Sequence, residues 1–486
     1  MEKNYDMIII GAGVVGNAVA RELSRYQFSI AVLEKQQDVC CETSARNSGV
    51  LHAGFNNKTG SKMAKLCVEG NLGFDQLAAE LDVPFKRTGK IVVGFDGSDR
   101  EQLEKLKAQG EANGVPGLSI IERAQIKQIA PCVEGNFAMF SAMTGVLDPF
   151  QLTIGLAENA HHNGAEYYFA QEVKAIDFND DMYTVQTVKE KFKSRWIINA
   201  AGLQADKIAA MMGVDDYQIY PCRGEYFILD QQISSFLPLP AYPVPNIKTG
   251  GLGIHLTPSI DGNIFVGPSA DYIDERDDYA TTQEVMDMLI EDGSRIFPYL
   301  KREYFIRSFS GIRPKLVSKT EGGFHDFVIE RCQETSHAIN LIGIESPGLT
   351  ASTPIARQVI RLIEEVEKLQ QKANFDPIRK RPVRFRELSH DEQAKLASKN
   401  PDYGEIICRC ETITKAEVLA AIHNSLGVAT IAGIKYRCRA MMGRCQGGYC
   451  QIRIAELLMK EKQLKPEEVL FNRDGSYLFT ERVRSC

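Results

Sequence analysis

The 486-residue chain carries 57 Lys+Arg against 63 Asp+Glu, a net charge of −6, with 44% apolar and 25% charged residues. This is an ordinary globular composition on a chain too long for one small core, so two or more domains are expected. The slightly acidic balance, with no long basic run, argues against nucleic acid as a partner. No apolar run approaches the roughly 18–20 residues that cross a bilayer. The N-terminal MEKNYDMIIIGAG runs into glycines rather than a small-residue cleavage site, so it does not read as a signal peptide. A cytoplasmic protein is expected, and its twelve cysteines then point to thiols or metal rather than disulfides.

YDMIII, residues 5–10, reads as a short buried strand. GAGVVG follows, with Gly11, Gly13 and Gly16 at G-x-G-x-x-G spacing. VVGNAVARELSRY then has helical periodicity, and SIAVLE reads as a second strand ending at Glu34, 18 residues after Gly16. Gly11 permits a tight turn, Gly13 lets backbone approach a pyrophosphate, and Gly16 lets the helix pack on the strand. The helix N-terminus offers free N–H groups to the diphosphate, and Glu34 can accept from an adenosine ribose. An acid there suits an unphosphorylated ribose, hence FAD or NAD. ETSARNSGVLHAG, residues 42–54, is rich in small polar residues and glycine, as a flavin's ribityl chain and ring require. EYYFAQEVKAIDF, MYTVQTVKE and KFKSRWIINAAG read as three strands, the last running into glycine. GEYFILD, GIHLTPSI and GNIFVGPSA alternate as strands, with a turn at IDGN. IGIESPGLTAS, 342–352, places another glycine turn before the amphipathic PIARQVIRLIEEV. Three separated strand-to-glycine segments suggest one cofactor wrapped by distant pieces of chain.

NSGVLHAGFNNKTGSKMAKLCVEGN, TGKIVVG, SGIRP (310–314) and IESPGLTAS occur in the order that resembles the D-amino-acid-oxidase-type FAD-dependent oxidoreductases. Within that superfamily they resemble L-2-hydroxyglutarate dehydrogenases most. The resemblance implies an α/β, Rossmann-like FAD-binding domain (1–84, 145–213, 306–370) interleaved with an antiparallel substrate domain (85–144, 214–305). It implies FAD contacts at Gly11, Gly13, Gly16, Glu34, Lys35, Thr43, Ser44, Asn47, Ser48, Gly49, Val173, Ala201, Gly202, Gly348, Leu349 and Thr350. His52 is the expected base for the substrate hydroxyl, since an unperturbed imidazole titrates near neutrality. Arg313 is the expected clamp for an anionic group, because guanidinium pairs bidentately with carboxylate or phosphate. Glycerol-3-phosphate dehydrogenases resemble the chain at both residues, yet usually carry arginine where Asn56 stands and lysine near Gly348. L-2-hydroxyglutarate dehydrogenases usually show paired tyrosines at Asn56 and Asn57. Lys58 and Arg223 are alternative cations.

Residues 371–404 turn polar and proline-bearing, a linker that is partly helical around SHDEQAKLAS. Beyond it come Cys408 and Cys410 as C-x-C, then 34 residues, then Cys445 and Cys450 as C-x4-C. Zinc and a [2Fe–2S] cluster both take four thiolates, although zinc sites usually open C-x2-C. TITKAEVLAAIHNSLG, with a capping box at Thr414 and Glu417, and QIRIAELLMKEK read as helices that place each cysteine pair at a helix N-terminus. CRC followed by GRCQGGYC resembles the [2Fe–2S] domain of bacterioferritin-associated ferredoxin, which also ends the large subunit of anaerobic glycerol-3-phosphate dehydrogenases. Cys438 lies outside that pattern and reads as a bystander, as do Cys40, Cys41, Cys67, Cys132, Cys222, Cys332 and Cys486.

The reading is an FAD-dependent dehydrogenase of a small anionic hydroxy compound, a 2-hydroxy acid first and glycerol 3-phosphate second. Its electrons would leave singly through the cluster to an acceptor protein or further subunits, with peripheral membrane association possible only through such a partner. An amino-acid dehydrogenase of the same fold and a non-catalytic electron-transfer or scaffold subunit are the alternatives.

Overall fold

A computed structural model describes residues 3–245, 253–332 and 337–480. Cys486 lies outside the described residues.

Two large sheets organise the molecule. In the first, the strand Lys3–Ile10 lies parallel between Ile30–Leu33 and Lys191–Asn199. Ala165–Tyr168 extends it on one side and Ala338–Ile342 joins Lys191–Asn199 on the other, all parallel. The central residues Met7, Ile8, Ile9, Val32, Ile197 and Ile198 are at most 1% exposed, so both faces are covered. This is why these strands read as unbroken apolar runs rather than alternating ones. The helices Val14–Leu23, Pro149–His162 and Gly348–Glu364 pack together against one face.

The segment EYYFAQEVKAIDF is two strands, not one. It breaks at Ala170, whose φ is +53°. Ala165–Tyr168 pairs beside Ile30–Leu33, whereas Val173–Asn179 pairs antiparallel with Met182–Thr187 at the far edge. The break is fixed by backbone bonds from Ala170 N–H to Gln36 O and from Gln171 N–H to Glu34 O, both 2.8 Å.

The second sheet has nine strands, running Asp271–Tyr272, Tyr220–Leu229, Ile264–Gly267, His255–Pro258, Ala241–Pro243, Lys90–Gly94, Phe137–Ser141, Leu118–Glu122, with Phe305–Lys315 also beside Tyr220–Leu229. Its pairings are antiparallel except Ala241–Pro243 with Lys90–Gly94. The mixed α/β class is therefore as expected, with a mainly parallel sheet that has antiparallel edges and a mainly antiparallel one.

The polar stretch after residue 370 is bound tightly to the rest. His390–Lys399 is helical, capped by Ser389 and Glu392 as a capping box. Before it, Arg379 reaches Glu158 and Arg384 reaches Asp148 and Asp261. Among the described residues no helix is long and apolar enough to cross a membrane.

Candidate functional site

The glycine turn is built for a close ligand. Gly11 has φ +106°, and a Cβ there would lie 2.5 Å from Ala200 O. At Gly16 a Cβ would fall 2.0 Å from Gly11 O, so helix and turn touch backbone to backbone. The helix begins at Gly13 with no side-chain cap and no acid in its first turn. Its positive end thus carries no acidic side chain of its own first turn, as a diphosphate site needs. Ser44 Oγ accepts from Val14 N–H at 2.9 Å. The buried Glu34 carboxylate accepts from Ala12 N–H (2.8 Å) and Gln36 N–H (2.9 Å). Burial raises its pKa and the two N–H donors oppose that shift. Lys35 Nζ stands 3.4 Å from Glu42, and Val173 begins its strand two residues past the Gln171–Glu34 bond.

The segment after Glu34 runs along the seam between the sheets. Thr43 Oγ1 donates to Ile312 O at 2.8 Å. Asn47 Nδ2 donates to Ser44 O (2.8 Å), and its Oδ1 accepts from Gly49 N–H (2.9 Å). Ser48 bonds Tyr226 on the nine-stranded sheet. Gly49 has φ +65°, with a would-be Cβ 2.5 Å from Leu147 O. Ala201 and Gly202 follow the strand end at Asn199, where Asn199 Oδ1 accepts from Ala201 N–H at 3.3 Å. Gly348, Leu349 and Thr350 open the helix Gly348–Glu364.

His52 is held by both ends of this arrangement. Its N–H donates to Thr350 Oγ1 at 3.0 Å, and its Nε2 lies 3.3 Å from Ser346 Oγ. Arg313 extends from Phe305–Lys315, donating from Nη2 to Ser269 O (2.7 Å) with Nη1 3.4 Å from Cys222 Sγ. Gly224 makes room for it, since a Cβ there would meet Nη2 at 2.6 Å. Burial, then the charge of Lys90, pulls His52 down to about 3. His255 is likewise pushed well below the usual imidazole range by burial and by Lys90, and it also feels His52 and Arg313. The four side chains therefore share one region, and Lys90, His255 and the Tyr242 ring between them were not singled out from sequence. Lys90 had a readable signal: a charged residue opening a strand whose next four residues are all buried.

Arg223 is neutralised by Asp278 (2.6 Å) and Glu225 (3.4 Å), and Lys58 is exposed. Asn56 is half-buried with an unpartnered Oδ1.

The four cysteines stand as two hydrogen-bonded pairs, Cys408 with Cys450 and Cys410 with Cys445. Cys450 caps the helix Gln451–Lys462 as expected. Cys408 and Cys410 do not sit at a helix N-terminus. Cys408 ends the strand Ile406–Cys408 of a small hairpin with Ile413–Thr414, and the helix Lys415–Ile422, with the expected Thr414–Glu417 capping box, starts beyond it. The N–H groups reaching sulfur instead come from turns. Met441 N–H serves Cys408 and Cys450, Glu411 N–H serves Cys408, and Gly447 and Tyr449 N–H serve Cys445. Two of these donors, Met441 and Gly447, have positive φ. Gly443 is equally constrained, since a Cβ would lie 2.3 Å from Cys410 Cβ.

Cys408 is lowered to about 6, chiefly by its bond from Cys450, and Cys445 is lowered by N–H donors and Cys410 against burial. Among the described residues no three metal-ligating side chains converge on one point. Two thiol pairs under convergent N–H groups are sulfur donors of the kind that a two-iron cluster takes. Cys438 is different: its Sγ donates to Ile434 O at 3.2 Å, and burial pushes it up to about 12.

The cysteine region is clamped to the rest of the chain. Arg437 and Asp38 pair bidentately at 2.6 and 2.9 Å, both buried. Gln151 Nε2 donates to Tyr436 O and Arg437 O, and the Tyr436 ring stacks on Phe150 at 4.4 Å. Glu411 and Asp261 are bridged by both Arg386 and Arg439.

A parallel, glycine-turned nucleotide sheet joined to an antiparallel sheet defines a flavoprotein oxidoreductase architecture. Residues 6–362 match the family described as FAD dependent oxidoreductase, and residues 406–460 match the BFD-like [2Fe-2S] binding domain. The chain belongs to the FAD-dependent oxidoreductase family, with FAD and a [2Fe–2S] cluster as cofactors and electrons leaving FAD through that cluster. It is 38% identical to a glycerol 3-phosphate dehydrogenase of Caloramator mitchellensis over 99% of both chains. It is 31% identical to human mitochondrial L-2-hydroxyglutarate dehydrogenase over 65% of this chain and 73% of that one. The FAD-bound L-alpha-glycerophosphate oxidase of Mycoplasma pneumoniae superposes with a TM-score of 0.73 at 30% identity, covering 78% of this chain and 100% of the other.

Proposed function

We propose that the protein oxidises a small anionic hydroxy compound, glycerol 3-phosphate first, in a substrate region formed by residues 85–144 and 214–305 against the FAD-binding residues 1–84, 145–213 and 306–370. The observation that carries the substrate is the Caloramator glycerol 3-phosphate dehydrogenase, which matches this chain over 99% of its length and so through the cysteine domain as well. FAD supplies a hydride acceptor, and the [2Fe–2S] cluster held by Cys408, Cys410, Cys445 and Cys450 supplies a one-electron exit.

The remaining work falls to side chains. His52, kept neutral, accepts the hydroxyl proton at Nε2 as the C–H bond breaks. Its backbone bond to Thr350 and its contact with Ser346 fix the imidazole's position at the mouth of the Gly348–Glu364 helix. Arg313, anchored by Ser269 O, offers its remaining guanidinium edge to the substrate anion. L-2-hydroxyglutarate is the second reading, favoured by the IESPG segment and by Asn56 in place of a phosphate-binding arginine. The Mycoplasma oxidase is fully covered by 78% of this chain, which leaves it no counterpart of the cysteine domain. That contrast supports a protein acceptor for the electrons here, in the cytoplasm, rather than oxygen.

Anaerobic addition of glycerol 3-phosphate should bleach the flavin and then the cluster. If neither it nor any 2-hydroxy acid reduces the flavin, the reading fails.

A further inference from the structure

We propose that the arginine-rimmed face around Cys410, Cys445 and Tyr449 is the docking surface for an acidic one-electron carrier protein, one that presents carboxylates around its own redox centre. The proposal rests on the protein-acceptor reading above and names where that acceptor binds.

The four cysteines are not equally covered. Cys408 and Cys450 are each 1% exposed, whereas Cys410 is exposed and Cys445 is half-buried. The set thus has an inner pair and an outer pair. Tunnelling falls steeply with distance, so a carrier arriving from solvent comes nearest at Cys410 and Cys445. Apolar surface flanks that edge. Tyr449 is 78% exposed, the most of any large apolar side chain among the described residues, and its N–H bonds Cys445. Ile452, three residues on in the first turn of Gln451–Lys462, is 53% exposed. Two exposed apolar side chains alone decide little. The charges around them decide the occupant.

Four arginines ring the edge. Arg307, exposed, donates to Oε1 of Gln446, the residue after Cys445, at 3.2 Å. Arg409 stands exposed between Cys408 and Cys410. Arg444 precedes Cys445 and is mostly exposed, although 3.3 Å from Asp230. Arg453 donates to Ile406 O at 3.1 Å and pairs with Glu405 at 2.7 Å. Among the described residues no acid pairs with Arg307 or Arg409. The edge is therefore positive on a chain whose net charge is −6. Such an island draws an acidic partner to one place while the rest of the surface repels it. A second copy of this chain fits worse, since a two-fold contact through this face would set arginine against arginine. Electron-transfer encounters are among the smallest protein interfaces, so a patch of this size suffices. In each encounter the carrier's oxidised centre gains one electron and the cluster loses one. Two encounters clear the pair that a hydride leaves on FAD.

The test compares native cytochrome c, a basic carrier, with cytochrome c succinylated at its lysines, which is acidic around the same haem. Surface plasmon resonance uses the full-length protein loaded with FAD and cluster, both partners oxidised. The succinylated carrier should bind at least about tenfold tighter at low salt and lose that advantage as salt rises. Arg307→Glu with Arg409→Glu should weaken it at least about tenfold, and Tyr449→Ser about threefold or more. Arg123→Glu with Lys174→Glu, two cations bonded to no residue of the cysteine domain, should change it less than about threefold. Cluster absorption and melting temperature establish that the variants are loaded and folded. If Arg409→Glu loses the cluster, Arg307→Glu with Arg444→Glu carries the same expectation. Equal binding of the two carriers overturns the proposal, as does an effect of the Arg123 and Lys174 pair as large as that of Arg307 and Arg409. A dimer that Tyr449→Ser dissociates gives the face to a second copy and also overturns it. Stopped-flow mixing of dithionite-reduced protein with each carrier separates the two readings. Reduction of neither haem removes the protein-acceptor reading as well, whereas equal rates for both remove only the docking assignment.

Discussion

Replacing Arg437 with Met should uncouple the two redox halves without damaging either. Arg437 comes from the helix Ile431–Cys438 and meets Asp38 beyond the nucleotide strand Ile30–Leu33, with side chains 4% and 2% exposed. Methionine fills much of the same volume but leaves Asp38 with one donor, Val39 N–H at 2.7 Å. A buried carboxylate stripped of its partner costs about 3–5 kcal/mol. At about 1.4 kcal/mol per tenfold, the docked population falls about 100- to 4,000-fold relative to an undocked one. The Gln151 bonds and the Phe150–Tyr436 stack remain, so the domain stays attached but less firmly. In an anaerobic stopped-flow experiment with excess substrate, flavin bleaching should proceed at the wild-type rate while cluster bleaching lags. Calorimetry should show the cysteine domain melting at a lower temperature. Adding Asp38→Asn should recover part of the loss, because no unpaired buried charge is left. The reasoning is refuted if Arg437→Met leaves both cluster bleaching and melting unchanged, or if the double variant is no better than the single one.

Gly16→Ala should abolish FAD retention, read as the flavin content of purified protein, because its Cβ would stand 2.0 Å from Gly11 O. His52→Ala should slow flavin reduction by about 100-fold or more. With His52 pulled down to about 3, the neutral base persists through the acid range, so wild-type flavin reduction should show no fall from about pH 8 to 5 attributable to it. An acid limb centred near the ordinary imidazole value would contradict that environment. Cys445→Ser should lose the visible cluster absorption, whereas Cys438→Ser should keep it, since Cys438 is a buried thiol bonded to Ile434 O.

Much of this was legible because local chemistry forces it. The strand–glycine–helix–strand–acid series has few physical realisations, and Gly11, Gly16 and Glu34 stand where that series puts them. The Thr414–Glu417 box was equally readable, because a capping box is complete within four residues. The break at Ala170 was not: its αL backbone is held by long-range bonds to residues 34 and 36 that no local pattern encodes. The short helix Ile431–Cys438 was missed for a related reason. It buries Ile431, Ala432, Gly433 and Ile434 in succession and so lacks a one-sided apolar stripe. Lys90 and His255 come from separate strands of one sheet, and only the folded sheet brings them near His52.

The stretch 371–404 shows where composition misleads. Its charges suggested a solvated spacer, yet Arg384 and Arg386 bind Asp261, at the hairpin turn of the antiparallel sheet, and Arg386 continues to Glu411 beside the cluster cysteines. Arg439 closes the same loop from the cysteine domain, reaching Glu411 and Asp261 at 2.7 and 2.6 Å. Glu411 and Asp261 are almost fully buried, so these are desolvated charges whose worth lies in fixed geometry more than in net stability. Electron tunnelling needs that geometry, since a one-electron exit works only while donor and acceptor stay close. A polar segment that looks like a tether is, in three dimensions, a clasp locking the cysteine domain to both sheets.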